Sequence, residues 1–196
     1  MSVHLVALGD STAVGVGAAR GGGYPEHLAS RLRREGLSVG LTNLGVSGAR
    51  TADVVQGQLK RAVAAQPTLV TLGIGVNDLW RGTSVEAFAE DLERIARRMK
   101  QTGAPVVVSN LPDLALAPVA QLVPSSLYEG RIEPFNAAIA SVTRGHGLHL
   151  VDLYGASRAY IPRHPEFFSG DGFHPSEAGY AQWAEFLYPT VRGLIR

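Results

Sequence analysis

Val6-Ala7-Leu8-Gly9-Asp10-Ser11-Thr12 is the end of an apolar run, begun at His4, that stops abruptly in glycine, aspartate and serine. A short apolar run halted by turn residues reads as a buried strand. Placed first in an α/β sheet, such a strand delivers the residues after it to the carboxyl edge, where open α/β sheets put their ligands. Ser11 then stands on a turn at the rim of a cleft with its hydroxyl free. A serine hydroxyl is a weak nucleophile. Chemistry based on it needs a base, a group that orients the base, and donors for an oxyanion.

The same ending recurs along the chain. A second strand is expected over 39–44, running into Asn43-Leu44-Gly45-Val46-Ser47-Gly48, and a third over 69–74, running into Gly73-Ile74-Gly75-Val76-Asn77-Asp78. Residues 105–109 and 148–153 supply a fourth and a fifth. Helical patterns lie between them. The segment 24–35 has Pro25 in its first turn, Leu28 and Leu32 at helical spacing, and Gly36 to end it. Thr51 is expected to cap a helix with Val54, Val55, Leu59 and Val63 on one face. Ser84 is expected to cap the next, with Phe88, Leu92, Ile95 and Met99 as its inner stripe. Two further helices are expected over 127–144, with Ile132, Phe135, Ile139 and Val142 inward, and over 176–194, with Tyr180, Trp183, Leu187 and Val191 inward. Residues 154–172 read as loop-rich. The apolar, proline-punctuated stretch 111–124 reads as a long loop bordering the cleft or packed into the core. Strands alternating with helices predict a parallel sheet covered on both faces, which brings the turns 9–11, 43–45 and 75–78 to one edge.

Composition narrows the function classes. A chain of 196 residues is expected to form one domain over 1–196. Its net charge of +1 gives no reason to expect nucleic acid as a partner. Arg31, Arg33, Arg34, Arg94, Arg97 and Arg98 fall in amphipathic segments and read as solvated helix faces. With no cysteine, disulfides, thiolate catalysis and thiol-based metal sites are excluded. No stretch approaches the roughly 20 apolar residues that span a bilayer, so no stable membrane insertion is expected. The run after Met1 lacks the basic leader and the length of a signal peptide. A soluble, cytoplasmic protein is the expectation, with a trimmed export signal as the alternative. Gly15 and Gly17 lack the third glycine of a dinucleotide fingerprint, since Arg20 stands there; no Gly-x-x-x-x-Gly-Lys loop occurs, and no Gly-x-Ser-x-Gly elbow surrounds Ser11.

The partners of Ser11 can be sought among the six histidines. His4 opens a strand, His27 lies in a helix, His146 and His149 flank a strand start, and His164 is in a proline-rich loop. His174 differs: it stands in Ser169-Gly170-Asp171-Gly172-Phe173-His174-Pro175, just ahead of the last helix, with Asp171 three residues before it. A glycine-containing turn can fold the carboxylate onto one imidazole nitrogen while the other faces outward. On these residues alone, a purely helix-starting role for the pair stays open. Gly45, with an unobstructed N–H, and Asn77, with a side-chain amide that does not titrate, are offered as oxyanion donors; each can equally be a turn residue.

Taken together, these blocks resemble the SGNH hydrolases, the GDSL-type esterase and lipase superfamily. Gly9-Asp10-Ser11-Thr12 is similar to the nucleophile block, with threonine where leucine is usual. Gly45 is similar to the glycine block, Gly75-Val76-Asn77-Asp78 matches Gly-x-Asn-Asp, and Asp171-Gly172-Phe173-His174 matches Asp-x-x-His. The blocks run in family order from 9 to 175. The resemblance implies a three-layer α/β/α, flavodoxin-like fold with a five-stranded, mostly parallel sheet. It also implies hydrolysis of small-molecule acyl esters through an acyl-serine, with no metal or organic cofactor. Ser11 would be the nucleophile, His174 the base and Asp171 its partner, with Ser11 N–H, Gly45 N–H and the Asn77 side chain holding the oxyanion. Carbohydrate O-deacetylation and acyl thioester hydrolysis are the alternatives on the same fold. A ligand-binding module without catalysis is the alternative of another class. Oligomeric state has no signature in the sequence.

Overall fold

The computed structural model describes residues 2–20 and 22–195. Five strands, β1 Ser2–Gly9, β2 Ser38–Asn43, β3 Leu69–Gly73, β4 Val106–Ser109 and β5 His149–Val151, form one sheet in the order β2-β1-β3-β4-β5. Every neighbouring pair is parallel, so the sheet is wholly rather than mostly parallel. This is the flavodoxin-like order, in which the chain changes direction across the sheet between β1 and β3. Ligands in such sheets bind beyond the carboxyl ends at that switch point.

The helices are α1 Ser11–Val14, α2 Tyr24–Arg34, α3 over 51–64, α4 Val76–Trp80, α5 Val85–Lys100, α6 Ile132–His146, α7 Leu153–Tyr160 and α8 Glu177–Leu194. Alternate strand residues feed two separate cores. Leu5, Leu69 and Val107 pack with Leu28, Leu32, Tyr180 and Leu187 of α2 and α8. Val6, Leu8, Val70, Leu72, Val106 and Val108 pack with Phe88, Ile95, Phe135 and Ile139 of α5 and α6. Burial on both faces explains the unbroken apolar runs. Each fully buried Leu or Phe contributes about 1.5–3 kcal/mol. Ser84 and Ser176 cap α5 and α8, their hydroxyls accepting from Ala87 N and Gly179 N at 3.2 Å each.

Four expectations are corrected. Thr51 is the first residue of α3, not its cap, because Asp78 occupies both its N–H and its hydroxyl; Arg50 takes the cap position and donates its N–H to Asp53 Oδ2 at 2.9 Å. The stretch 154–172 is not mainly loop: α7 starts it, capped by Asp152, whose Oδ1 accepts from Gly155 N at 3.0 Å. The helix expected from 127 begins at Ile132, after a 3₁₀ turn Ser125–Leu127. Trp183 is only partly buried, and Ala184 fills the inner position on α8. The indole instead stacks on Tyr24, with ring centroids 5.2 Å apart.

Candidate active site

The chain leaves β1 through Gly9, at φ +154°, a backbone conformation that L side chains rarely adopt. A Cβ there would lie 2.4 Å from the Gly73 carbonyl oxygen of β3. Asp10 then caps α1, its Oδ1 accepting from Thr12 N at 2.9 Å and Thr12 Oγ1 at 2.8 Å. Ser11 is the first helical residue and is 7% exposed.

His174 reaches Ser11 from the other end of the chain. Its Nε2 lies 3.1 Å from Ser11 Oγ, and its Nδ1 lies 2.6 Å from Asp171 Oδ2. The turn holding the pair is closed by Ser169 N donating to His174 O at 2.8 Å and Gly172 N donating to Ser169 O at 3.0 Å. The Tyr180 hydroxyl of α8 donates to Val16 O at 2.7 Å, tying the helix after His174 to the loop after Ser11. Burial pushes the Asp171 carboxyl up. Hydrogen bonds from His174, the Phe173 and His174 N–H groups and the Ser169 hydroxyl outweigh it and hold the carboxyl below the usual range. An ionised Asp171 only accepts, so His174 Nδ1 carries the proton and Nε2 is left to accept from the Ser11 hydroxyl.

Asn77 stands in α4, after β3, and lines the same cleft as Ser11 and His174. One N–H of its amide donates to Ala49 O at 3.0 Å, leaving the second. Gly45 departs from expectation. Its N–H is not open but donates to Asn43 Oδ1 at 3.1 Å, because the Asn43 side chain folds back over two residues. Its Cα faces Ala13: a Cβ on Gly45 would lie 2.7 Å from that of Ala13.

Comparison with known proteins points the same way. The profile of the GDSL-like lipase/acylhydrolase family matches residues 7–182. The chain belongs to that family. A GDSL-like esterase of Mycobacterium tuberculosis is 31% identical over 98% of this chain, which spans 63% of that relative's length. Esterase TesA of Pseudomonas aeruginosa is 26% identical over 97% of this chain and 89% of its own. A crystal structure of TesA superposes with a TM-score of 0.81 at 24% identity, covering 98% of this chain and 99% of that one. That likeness is one of fold.

Several polar groups around this GDSL-like site escape sequence reading. Asp78, 1% exposed, accepts from Thr51 N at 3.0 Å and Thr51 Oγ1 at 2.8 Å, tying the Asn77 turn to α3. Burial raises its carboxyl above the usual range. Asn43 Nδ2 donates to Ala13 O at 2.7 Å and Glu26 Oε1 at 2.8 Å. Gln58, 2% exposed, pairs with the backbone of Gly9. Such bonds span tens of residues without any periodic signature.

Asp10 is 1% exposed, and burial, only partly offset by its bonds from Thr12, pushes its carboxyl up to about 6. The ordinary value is 3.8. Below that value both folded and unfolded chains hold the proton and nothing is lost. As pH rises the unfolded chain ionises first, so the folded state loses stability until about pH 6, by about 3 kcal/mol in all. Asp10→Asn keeps an acceptor for Thr12 and does not ionise. Its stability relative to wild type is expected to improve by about 2 kcal/mol between roughly pH 4 and pH 7. Denaturant titration at both pH values checks this; an unchanging difference would contradict it.

A cavity of about 120 Å³ opens beside Ser11 and His174. Beyond them its wall is mainly apolar, with Leu114, Leu153, Phe167, Phe173 and Phe186. The stretch 111–124 does both things open to it. Pro112, Leu114 and Ala117 line the cavity, while Leu111 and Ala120 are buried in the core. Leu116 lies off the cavity. Among the described residues no three metal-binding side chains cluster, and no helix is long and apolar enough to cross a membrane.

Proposed function

We propose that the protein hydrolyses carboxylic esters carrying an apolar acyl group, through an acyl-serine. The observation that carries this reading is the hydrogen-bonded row Asp171–His174–Ser11, at 2.6 and 3.1 Å, opening on an apolar cavity. In the first half, His174 Nε2 takes the Ser11 hydroxyl proton as Oγ bonds to the substrate carbonyl carbon. The ester C–O bond then breaks, and the proton passes from Nε2 to the departing alcohol. In the second half, water gives its proton to Nε2 and its oxygen to the acyl carbon. Ser11 Oγ leaves and recovers the proton, releasing the carboxylic acid. Asp171 keeps Nδ1 protonated and stabilises the imidazolium. Asn77, the Ser11 N–H and the Gly45 N–H are the oxyanion donors in this reading, Gly45 after giving up Asn43. The partner is a small molecule; a net charge of +1 offers nucleic acid little attraction. An acetylated sugar would find few polar partners on the cavity wall beyond the row, which favours the apolar ester.

The test is acyl preference. With p-nitrophenyl esters from acetyl to octanoyl, wild type is expected to favour chains longer than acetyl. Leu114→Asn should shift kcat/KM toward short chains by about tenfold, the scale of a methylene's worth of contact. Leu116→Asn, away from the cavity, should not. A Leu114→Asn protein that is less stable but keeps its preference would make 111–124 core alone.

A further inference from the structure

Gln58 belongs to the π-helical part of α3, Val54–Gln58, where one extra residue per turn widens the helix. Its side chain is buried, at 2% exposure. A buried amide must find partners, and both of these belong to one residue. Gly9 N donates to Gln58 Oε1 at 2.9 Å, and Gln58 Nε2 donates to Gly9 O at 2.8 Å. The pairing answers a gap in the sheet. On one side β1 stays in register to its last residue, Gly9 opposite Gly73. On the other, pairing with β2 ends at Ala7 opposite Asn43, because the chain turns away there into the Gly45 loop. The Gly9 N–H would lose its ladder partner on that side, and the Gln58 amide oxygen stands in for the missing strand. Gly9 O accepts a second bond, from Val46 N at 3.1 Å. One carbonyl therefore joins the strand that carries Ser11, two residues on, to the loop that carries Gly45, one residue back.

We propose that Gln58 is a positioning residue for the hydrolytic reaction: through Gly9 it sets Ser11 and the Gly45 loop at one spacing. The proposal rests on the acyl-serine reading above. Oxyanion donors must match the transition state closely, and small displacements far from the chemistry are felt in rate. The effect should therefore fall on kcat, since Gln58 does not touch the cavity that binds the acyl group.

Two variants test it. Gln58→Met keeps the length and removes both bonds; kcat is expected to fall about tenfold with KM changed less than about twofold. Gln58→Glu is more discriminating. Protonated, the new carboxyl offers one donor and one acceptor, as the amide does. Ionised, it offers acceptors only and faces the Gly9 carbonyl. The ratio of its kcat to wild type should be near unity at low pH and fall about tenfold as that carboxyl ionises. A flat ratio in folded Gln58→Glu, or full kcat per folded molecule in Gln58→Met, would overturn the positioning role. If wild type itself hydrolyses no ester, it is the acyl-serine reading that fails instead.

Discussion

Ser11→Ala is expected to lower kcat for ester hydrolysis by about 10⁴-fold or more while leaving the protein folded. The size reflects the geometry. His174 Nε2 has no other hydroxyl to activate in the row, and without Oγ no acyl-enzyme can form. The structural cost is small. Alanine is a good residue for the first turn of α1, and the Ser11 side chain's bond is the one to His174. A fluorophosphonate that labels wild type should leave Ser11→Ala unlabelled, with thermal unfolding unchanged within a few degrees. Hydrolysis near the wild-type rate in the folded variant would remove Ser11, and the proposed mechanism with it.

Asn77→Ala carries the next largest effect and separates two roles that the structure makes concrete. The amide of Asn77 bonds Ala49 O at 3.0 Å, so it can act as a staple between α4 and the loop before α3. Its second N–H faces no such duty. In the tetrahedral intermediate the carbonyl oxygen gains a full charge, so a fixed donor acts mainly on kcat. Loss of one side-chain oxyanion donor costs about 10²–10³-fold in kcat, and that fall is expected with KM changed far less. The lost bond to Ala49 should cost about 1 kcal/mol of stability besides. Asn77→Asp should be at least as damaging, since an ionised carboxylate has nothing to donate to Ala49 O or to the oxyanion. Stability and kcat measured on one Asn77→Ala preparation decide: full activity per folded molecule would leave Asn77 a staple alone.

Much of this architecture is legible in the residues themselves. Strands buried on both faces must be almost continuously apolar, so Val6 to Leu8, Leu69 to Leu72 (with Thr71 its one polar residue) and Val106 to Val108 announce themselves. Ser84 and Ser176 mark helix starts because a hydroxyl at that place satisfies an exposed N–H. Ser11 and Asn77 can be picked out because strand-end turns of a parallel sheet share one edge, and Asp171 and His174 because a carboxylate three residues before an imidazole in a glycine-containing turn can meet it. Bonds between a side chain and a distant backbone stay hidden. Gln58 on Gly9 and Asp78 on Thr51 link residues 49 and 27 apart. Thr51 reads wrongly as a cap for that reason, its hydroxyl being engaged elsewhere. Gly45 reads as open because the Asn43 side chain that covers its N–H depends on how the loop folds. α7 escapes notice because it is one short stretch with Gly155 in its first turn.

Ser11 and His174 stand 163 positions apart, which gives the row of three a place in time as well as in space. During synthesis Ser11 is made well before the histidine proposed as its base. Until β5 and α8 have docked, an emerging chain carries a serine with no proton acceptor beside it. In the acyl-serine reading proposed above, such a chain hydrolyses no ester. Hydrolytic activity therefore reports the final closure of the fold, and the return of activity after denaturation is a clock for that step.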